Sequence, residues 1–365
     1  MREVAVIGAG MHRYGVMADK SLVEMGTVAV ARALEDANLS WEDIETVYCG
    51  TAQGGFANGH QICNAMGLTG LGITNVENAS ASGSAAFREA VLAVASGAHE
   101  IALAMGVDKF PPQPPKTTPR KPAQGPVLWF AELTRNHMAE HGTTIDQLAQ
   151  VSVKSHYNAS LNPYAHFQEA VTLQEVHEAR MVADPLTVMH CCPRGSGAAA
   201  VVVCSKEVAA QYSEKVNPLV TASVLKSTLP GGDPSTDLTR FTAQIAYEKA
   251  GIKSQDLDLI ELHDAFTIEE IMFLESLGLC ERGQGGKLVE AGVTALDGEY
   301  PINSSGGLIS VGHPIGPTGV GQIAEILWQM RRECGQRQVV KPVKTAMAHM
   351  VGAGGVSIVH LFKAE

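Results

Sequence analysis

Apolar residues along the chain fall into blocks of two kinds. Val4-Ala5-Val6-Ile7, Ile101-Ala102-Leu103-Ala104 and Ala199-Ala200-Val201-Val202-Val203 are short runs that predict strands. Longer mixed stretches such as Leu22 to Ala37 predict helices. The two kinds alternate across short glycine-marked turns, which predicts α/β layers.

The pattern also repeats. ALEDANLSWEDIETVYCG (33–50) and AYEKAGIKSQDLDLIELH (246–263) superpose without a gap at an offset of 213 residues. Each reads as a helix end stopped at Asn38 or Gly251, an acidic first turn of a short helix, then a strand. A small-residue helix after Ser80 followed by IALAMGVD is matched later by NSSGGLISVGHPIGPTGVGQIAEILWQMRRE followed by KTAMAHMVGAGG. We expect two similar halves, 1–215 and 216–365, the first carrying an insertion at about 109–180. Facing halves bring equivalent loops to one shared site. Residues 109–126 hold seven prolines in 18 positions and cannot form a regular element. With Lys109, Lys116, Arg120 and Lys121 the stretch is basic, and it is expected to be a surface excursion, a candidate lid or partner contact.

Composition narrows the class. The 365 residues are 45% apolar and 18% charged, enough to bury a sizeable core. A net charge of -11 without a long single-sign run argues against a broad nucleic-acid surface and leaves room only for a local phosphate patch. MREVAVIGAGMHRYG has no apolar stretch of signal-peptide length, and the longest apolar run, Ala198 to Cys204, falls far short of the ~20 residues of a membrane helix. The expectation is a soluble cytoplasmic protein. Seven cysteines, an odd number with no CxxC pair, read as reduced thiols; neither a disulfide frame nor a bound metal is expected.

VAVIGAGMHRYG places Gly8 and Gly10 after a strand, but Arg13 occupies the third glycine's place and no acidic partner follows a second strand. The dinucleotide fingerprint fails, and the segment reads as a turn after the first strand. Four other segments carry candidate chemistry: ENASASGS (77–84), ELHDAF (261–266), GGLISVGHPIGPTG (306–319) and AHMVGAGG (348–355). Each sets a histidine or small polar residue in or beside a turn, and glycine there lets backbone approach a ligand. A lone histidine such as His349 is ordinarily structural. Placement at strand ends of a duplicated fold shifts that weight toward function for His263 and the loops around it.

HDAF followed by TIEE, SSGGLISVGHPIGPTG and the terminal GAGG resemble the thiolase superfamily, in its sterol-carrier-protein-type and archaeal acetyl-CoA acetyltransferase branch, over essentially the full chain and in motif order. The resemblance implies a five-layered αβαβα fold, a homodimer, acyl-CoA substrates, coenzyme A as substrate with no permanently bound cofactor, and a small partner subunit with a zinc ribbon and an OB-type barrel. It sets Ser80 where the family has its nucleophilic cysteine, at the N-terminus of a helix. It makes His313 the activator of that nucleophile and gives His263 the thioester oxygen, held directly or through a water. It also implies that the N–H groups of Ser80 and Gly352 form a second oxyanion hole. On the resemblance Gly306, Gly307, Gly312, Gly316, Gly354 and Gly355 would keep the walls of a thioester tunnel thin, with plain turn glycines as the equal alternative, and Asp264 would fix a loop rather than react. Phe110, Trp129 and Phe130 are candidates to line a pocket for an aromatic or branched acyl group.

The chain departs from the family in three places. Ser80 replaces the nucleophilic cysteine, either as the natural residue or as a substitution for it. Met350 stands where many thiolases carry a second, acid–base cysteine, and Ala265 where the sterol-carrier branch has one. Three functions follow: thiolysis of a 3-oxoacyl-CoA or its reverse Claisen condensation, retro-aldol cleavage of a 3-hydroxyacyl-CoA, or acyl-CoA binding without turnover.

Overall fold

The computed structural model describes residues 2–111, 125–212 and 215–364. The strands in chain order are β1 (Val4–Gly15), β2 (Thr46–Gly50), β3 (Gly72–Val76), β4 (Ile101–Asp108), β5 (Met181–Ala183), β6 (Leu186–Thr187), β7 (Ser196–Ser205), β8 (Leu219–Ser227), β9 (Leu259–Glu261), β10 (Thr345–Gly352) and β11 (Val356–Lys363). β5 and β6 pair with each other; the rest form a mixed sheet of order β3-β2-β4-β7-β1-β8-β11-β10-β9. The seam between β1 and β8 is thin, resting on the Ala5–Leu219 pairing and a bond from Val6 N–H to Pro218 O. The sheet is therefore two half-sheets, one from each half of the chain, joined edge to edge.

Side chains alternate faces along a strand, and here the alternation separates the layers. Along β7, Ala199, Val201 and Val203 share a core with the helices Ser82–Ala95 and Ile315–Met330. Ala198, Ala200, Val202 and Cys204 point the other way, into a core with the helix Leu22–Ala37. On the second half-sheet Ala346, Ala348 and Phe362 enter the first of these cores, whereas Met347, Val359 and Leu361 face the helices Thr236–Ala250 and Thr267–Ser276. Helices 82–95 and 315–330 are thus sandwiched between the half-sheets, completing the five layers αβαβα. Both are buried on most of their circumference, as central helices must be. They meet at glycine: a Cβ on Gly83 would collide with Gly316 O, and one on Gly319 with Ser84 Oγ.

The repeat is reproduced at the helix ends, the short turns and the strand starts. Helix 22–37 stops at Asn38 (φ 55°) and helix 236–250 at Gly251 (φ 67°), each in the left-handed conformation that ends a helix. Short 3-10 turns follow at Trp41–Asp43 and Ser254–Asp256, then β2 and β9. Gly8 and Gly10 do not make the expected turn, because β1 runs on to Gly15. Their role is close approach: a Cβ on either would strike the carbonyl of Ala33 or Ala29 in the covering helix. Of the proline-rich stretch, residues 112–124, with Lys116, Arg120 and Lys121, lie outside the described residues.

Candidate active site

The segment after β3 makes a tight elbow. Ala79 has φ 48°, a left-handed conformation unfavourable for a residue with a Cβ. Ser82 clamps it from within, its hydroxyl donating to Ala79 O (2.6 Å) and accepting from Asn78 N–H (2.9 Å). Ala81 N–H closes the turn on Asn78 O (3.0 Å), and the helix begins at Ser82. Ser80 therefore stands immediately before a helix N-terminus, whose dipole favours developing negative charge. β10 is laid on the same elbow: a Cβ at Gly352 would collide with Asn78 O. Met350 is fully buried with Ala81, Ala85 and Ile358.

Ser80 Oγ lies 2.9 Å from His313 Nε2. On the other side of that ring, Nδ1 lies 2.9 Å from Thr318 Oγ1, and the Thr318 hydroxyl donates to Pro314 O at 2.6 Å. With its one proton committed to a carbonyl, Thr318 can only accept, so His313 carries its hydrogen on Nδ1 and presents a lone pair at Nε2. The Ser80 hydroxyl is then the donor. Burial, with a smaller contribution from His263, pushes the His313 pKa down to about 3, so the ring is neutral at physiological pH.

His263 follows β9. Its Nδ1 is 3.1 Å from Glu269 Oε1, and the other oxygen of Glu269 accepts from Phe266 N–H (3.1 Å), so the carboxylate also caps the helix 267–276. His263 Nε2 is buried without a hydrogen-bond partner. The two imidazoles meet edge to face with centroids 5.5 Å apart, one from each of two motifs 50 residues apart in sequence. Asp264 holds the neighbouring loop by accepting from Leu308 N–H (2.6 Å).

The glycines divide. Gly306 and Gly307 are packed against Ala159 and Asp264, and Gly355 against Thr228; Gly316 faces Gly50 and Asp108, and Gly312 faces His166. Gly354 alone of the six opens onto free space. His349 points away from the elbow, bonded to Thr239 (3.0 Å) and edge-on to Phe273. Phe130 is buried and stacked on Phe266 at 4.1 Å, directly beyond Ala265; Trp129 is half exposed, and Phe110 N–H bonds Ser196.

Three further residues belong to the site. Thr318 sets the tautomer of His313, and Glu269 orients His263. Asp108, ending β4, accepts from Ala52 N–H, Gln53 N–H, the Thr51 hydroxyl and Gly316 N–H (2.5 Å), tying the loop after His313 to the first half. Burial outweighs those bonds and raises its pKa to about 6. The signal for it was an acid closing the otherwise apolar strand IALAMGVD. All seven cysteines are unpaired thiols, and no cluster of metal-ligating side chains and no helix long and apolar enough to cross a membrane occurs among the described residues.

A duplicated five-layer fold with a hydroxyl and two histidines converging at a central helix N-terminus is the frame of an acyl-transferring enzyme. The thiolase N-terminal domain family matches residues 4–207 and the thiolase C-terminal domain-like family residues 230–362; the chain belongs to the thiolase family. It is accordingly an acyltransferase-type enzyme whose chemistry makes or breaks carbon–carbon bonds with coenzyme A. It is 40% identical to an acetyl-CoA acetyltransferase of Methanothermobacter thermautotrophicus, over 99% of this chain and 100% of that one. Identity to the benzoylsuccinyl-CoA thiolase subunit BbsB of Thauera aromatica is 34%, over 97% and 95%. The solved structure of the Ltp2-ChsH2(DUF35) aldolase shares the fold, with TM-score 0.87, 22% identity and coverage of 99% and 98%.

Proposed function

We propose that the chain is a thiolase that cleaves a 3-oxoacyl-CoA with coenzyme A, or runs the reverse Claisen condensation, using Ser80 as the acyl-accepting group. The observation that carries this reading is the 2.9 Å contact between Ser80 Oγ and a His313 nitrogen whose partner Thr318 makes it an acceptor. His313 takes the hydroxyl proton as Oγ attacks the 3-oxo carbon. The N–H groups of Ser80, just before the helix N-terminus, and of Gly352, at the end of β10, receive the oxyanion, and His263 holds the thioester oxygen of the leaving half. Coenzyme A then takes the acyl group from Ser80. Gly306, Gly307 and Gly354 belong to the loops along which coenzyme A would lie. A serine hydroxyl is a far weaker acid than a thiol, so Ser80→Cys is expected to raise CoA-dependent cleavage of a 3-oxoacyl-CoA. A cysteine form that binds acyl-CoA and never cleaves, with any partner present, would leave only a binding role.

A second reading is favoured by the hydroxyl itself. Retro-aldol cleavage of a 3-hydroxyacyl-CoA needs no covalent intermediate, only a base for the substrate hydroxyl and support for the enolate, which His313 and His263 can provide. Release of an aldehyde or ketone without added coenzyme A would identify it.

The same reading includes the division into halves at 215/216 and a cytoplasmic location, supported by the unpaired thiols. It also includes an aromatic or branched acyl group near Phe130 and Phe266, and a homodimer. For the dimer, β3 is an edge strand with Gly72, Thr74 and Asn75 exposed, flanked by Phe56 at 95% and Leu68 at 85% exposure, a surface suited to pairing with a second copy. A small zinc-ribbon and OB-type partner subunit completes the proposal.

A further inference from the structure

The thiolase reading leaves one proton without a carrier. When the bond between the 2- and 3-carbons breaks, the electron pair passes to the 2-carbon and the thioester oxygen, and the 2-carbon must be protonated. Ser80 has given its proton to His313, which must return it to Oγ when coenzyme A removes the acyl group. Met350 is a buried thioether and Ala265 a methyl, so neither position that carries a thiol in relatives can act.

We propose that His263, oriented by Glu269, is the acid–base group that delivers and removes the proton at the 2-carbon. The proposal rests on the thiolase reading above and on three features of the site. His263 is 4% exposed, and its Nε2 is a buried polar atom with no protein partner. Its Nδ1 is committed to a carboxylate 3.1 Å away, which fixes the ring and aims Nε2. Its ring meets that of His313 edge to face, so a substrate whose 3-carbon lies at Ser80 places its neighbouring carbon beside the second ring. The same geometry recurs wherever a carboxylate backs a catalytic imidazole.

The protons balance. In cleavage, His263 carrying a proton on each nitrogen hydrogen-bonds the thioester oxygen through Nε2–H as the carbon–carbon bond breaks and then transfers that one proton to the 2-carbon, becoming neutral. The thiol of incoming coenzyme A surrenders its proton to His263 as the sulfur attacks the Ser80 ester. His313 returns its proton to Oγ as the ester breaks. Both histidines end as they began. His263 is the catalytic residue in this scheme and Glu269 a positioning residue. Asp264, His313 and Cys192 also face this region; the Cys192 thiol is pushed far up by burial, then by Cys191, Glu269 and Asp264, and it is the competing acid–base candidate.

The test is exchange of the 2-position hydrogens of acetyl-CoA and propanoyl-CoA in deuterium oxide, followed by mass spectrometry of the CoA ester. This half-reaction needs no nucleophile, so it separates the proposal from the role of Ser80. Exchange is expected in the unaltered protein and in Cys192→Ser. His263→Asn, which keeps a donor for the thioester oxygen, is expected to lose about 100-fold or more, and Glu269→Gln about 10-fold with a displaced pH profile. Thermal unfolding identifies variants that lose the fold; should His263→Asn be one, Glu269→Gln decides. Exchange at the unaltered rate in a folded His263→Asn or Glu269→Gln, loss of exchange in Cys192→Ser alone, or no exchange in the unaltered protein with either ester would overturn the proposal. Failure of C–C cleavage with exchange intact would count against the thiolase reading only.

Discussion

His313 donates an Nδ1–H hydrogen bond to Thr318, and the Thr318 hydroxyl donates its own to Pro314 O. This relay leaves one nitrogen free to take a proton from Ser80. Replacing Thr318 by valine keeps the volume but removes the acceptor, so the ring loses its preference for the productive tautomer. We expect kcat to fall roughly 10²-fold, the lower range of what a general base contributes, with KM little changed. Steady-state kinetics on whichever CoA ester turns over would show the split; equal changes in both parameters would count against it.

The pH dependence below neutrality should report Asp108, because His313, with a pKa near 3, remains an unprotonated base down to acid pH. Asp108 holds Gly316 N–H and the Thr51–Gln53 backbone as a carboxylate, yet its pKa is raised to about 6. Activity should therefore rise with an apparent pKa near 6, and Asp108→Asn should abolish that limb and lower kcat across the range. Stability runs the other way. Below about pH 4 the group is protonated in both folded and unfolded chains; between about 4 and 6 only the unfolded chain ionises, so this residue's contribution falls as pH rises. Denaturant titrations at pH 4 and 7, compared between the natural residue and Asn, measure the difference.

Arg331 locks the seam between the halves. Its side chain is 1% exposed and bonds Asp36 (2.8 Å), Ile7 O, Asn217 Oδ1 and Val216 O. Asp36 in turn accepts from Ala9 N–H. Arg331→Leu leaves that carboxylate to Lys215 (2.9 Å) and Ala9 N–H and takes the guanidinium from the Ile7 and Val216 carbonyls, and a cost of about 1–3 kcal/mol is expected. Chemical denaturation reads it directly; a loss under about 1 kcal/mol would mean that the apolar layers alone hold the halves together.

Gly352→Ala tests the elbow. The added methyl meets Asn78 O beneath Ser80, so the elbow or the strand must shift. The strain should cost about 1–3 kcal/mol of stability, and its larger effect should be on kcat, because the shift moves Ser80 relative to His313. Unchanged kcat would show that β10 does not support the elbow.

Elements whose signals are local were legible in the sequence. Asn38 and Gly251 marked two helix ends, and the boundaries that follow them keep the 213-residue offset in the structure. The small residues of VENASASGSAAF and the glycines of GHPIGPTG marked loops that do meet at Ser80 and His313. Legibility failed where meaning depends on contacts distant in sequence. Gly8 and Gly10 suggested a turn, whereas a helix pressed onto β1 explains them. Asp108 gains its role only when Gly316, from the other half, comes within 2.5 Å, and Glu269 gains its role only when a helix start brings it back to His263.

The central claim is that Ser80 Oγ, activated by His313, accepts the acyl group. Mass spectrometry of the intact protein and its Ser80 peptide, after brief exposure to 3-oxoacyl-CoA esters of straight, branched and aromatic chains and acid quench, tests it most directly. The account predicts an added mass equal to the acyl group, on Ser80, absent in Ser80→Ala and strongly reduced in His313→Asn. Turnover of the same esters with no adduct on Ser80, and at an unchanged rate in Ser80→Ala, would contradict it.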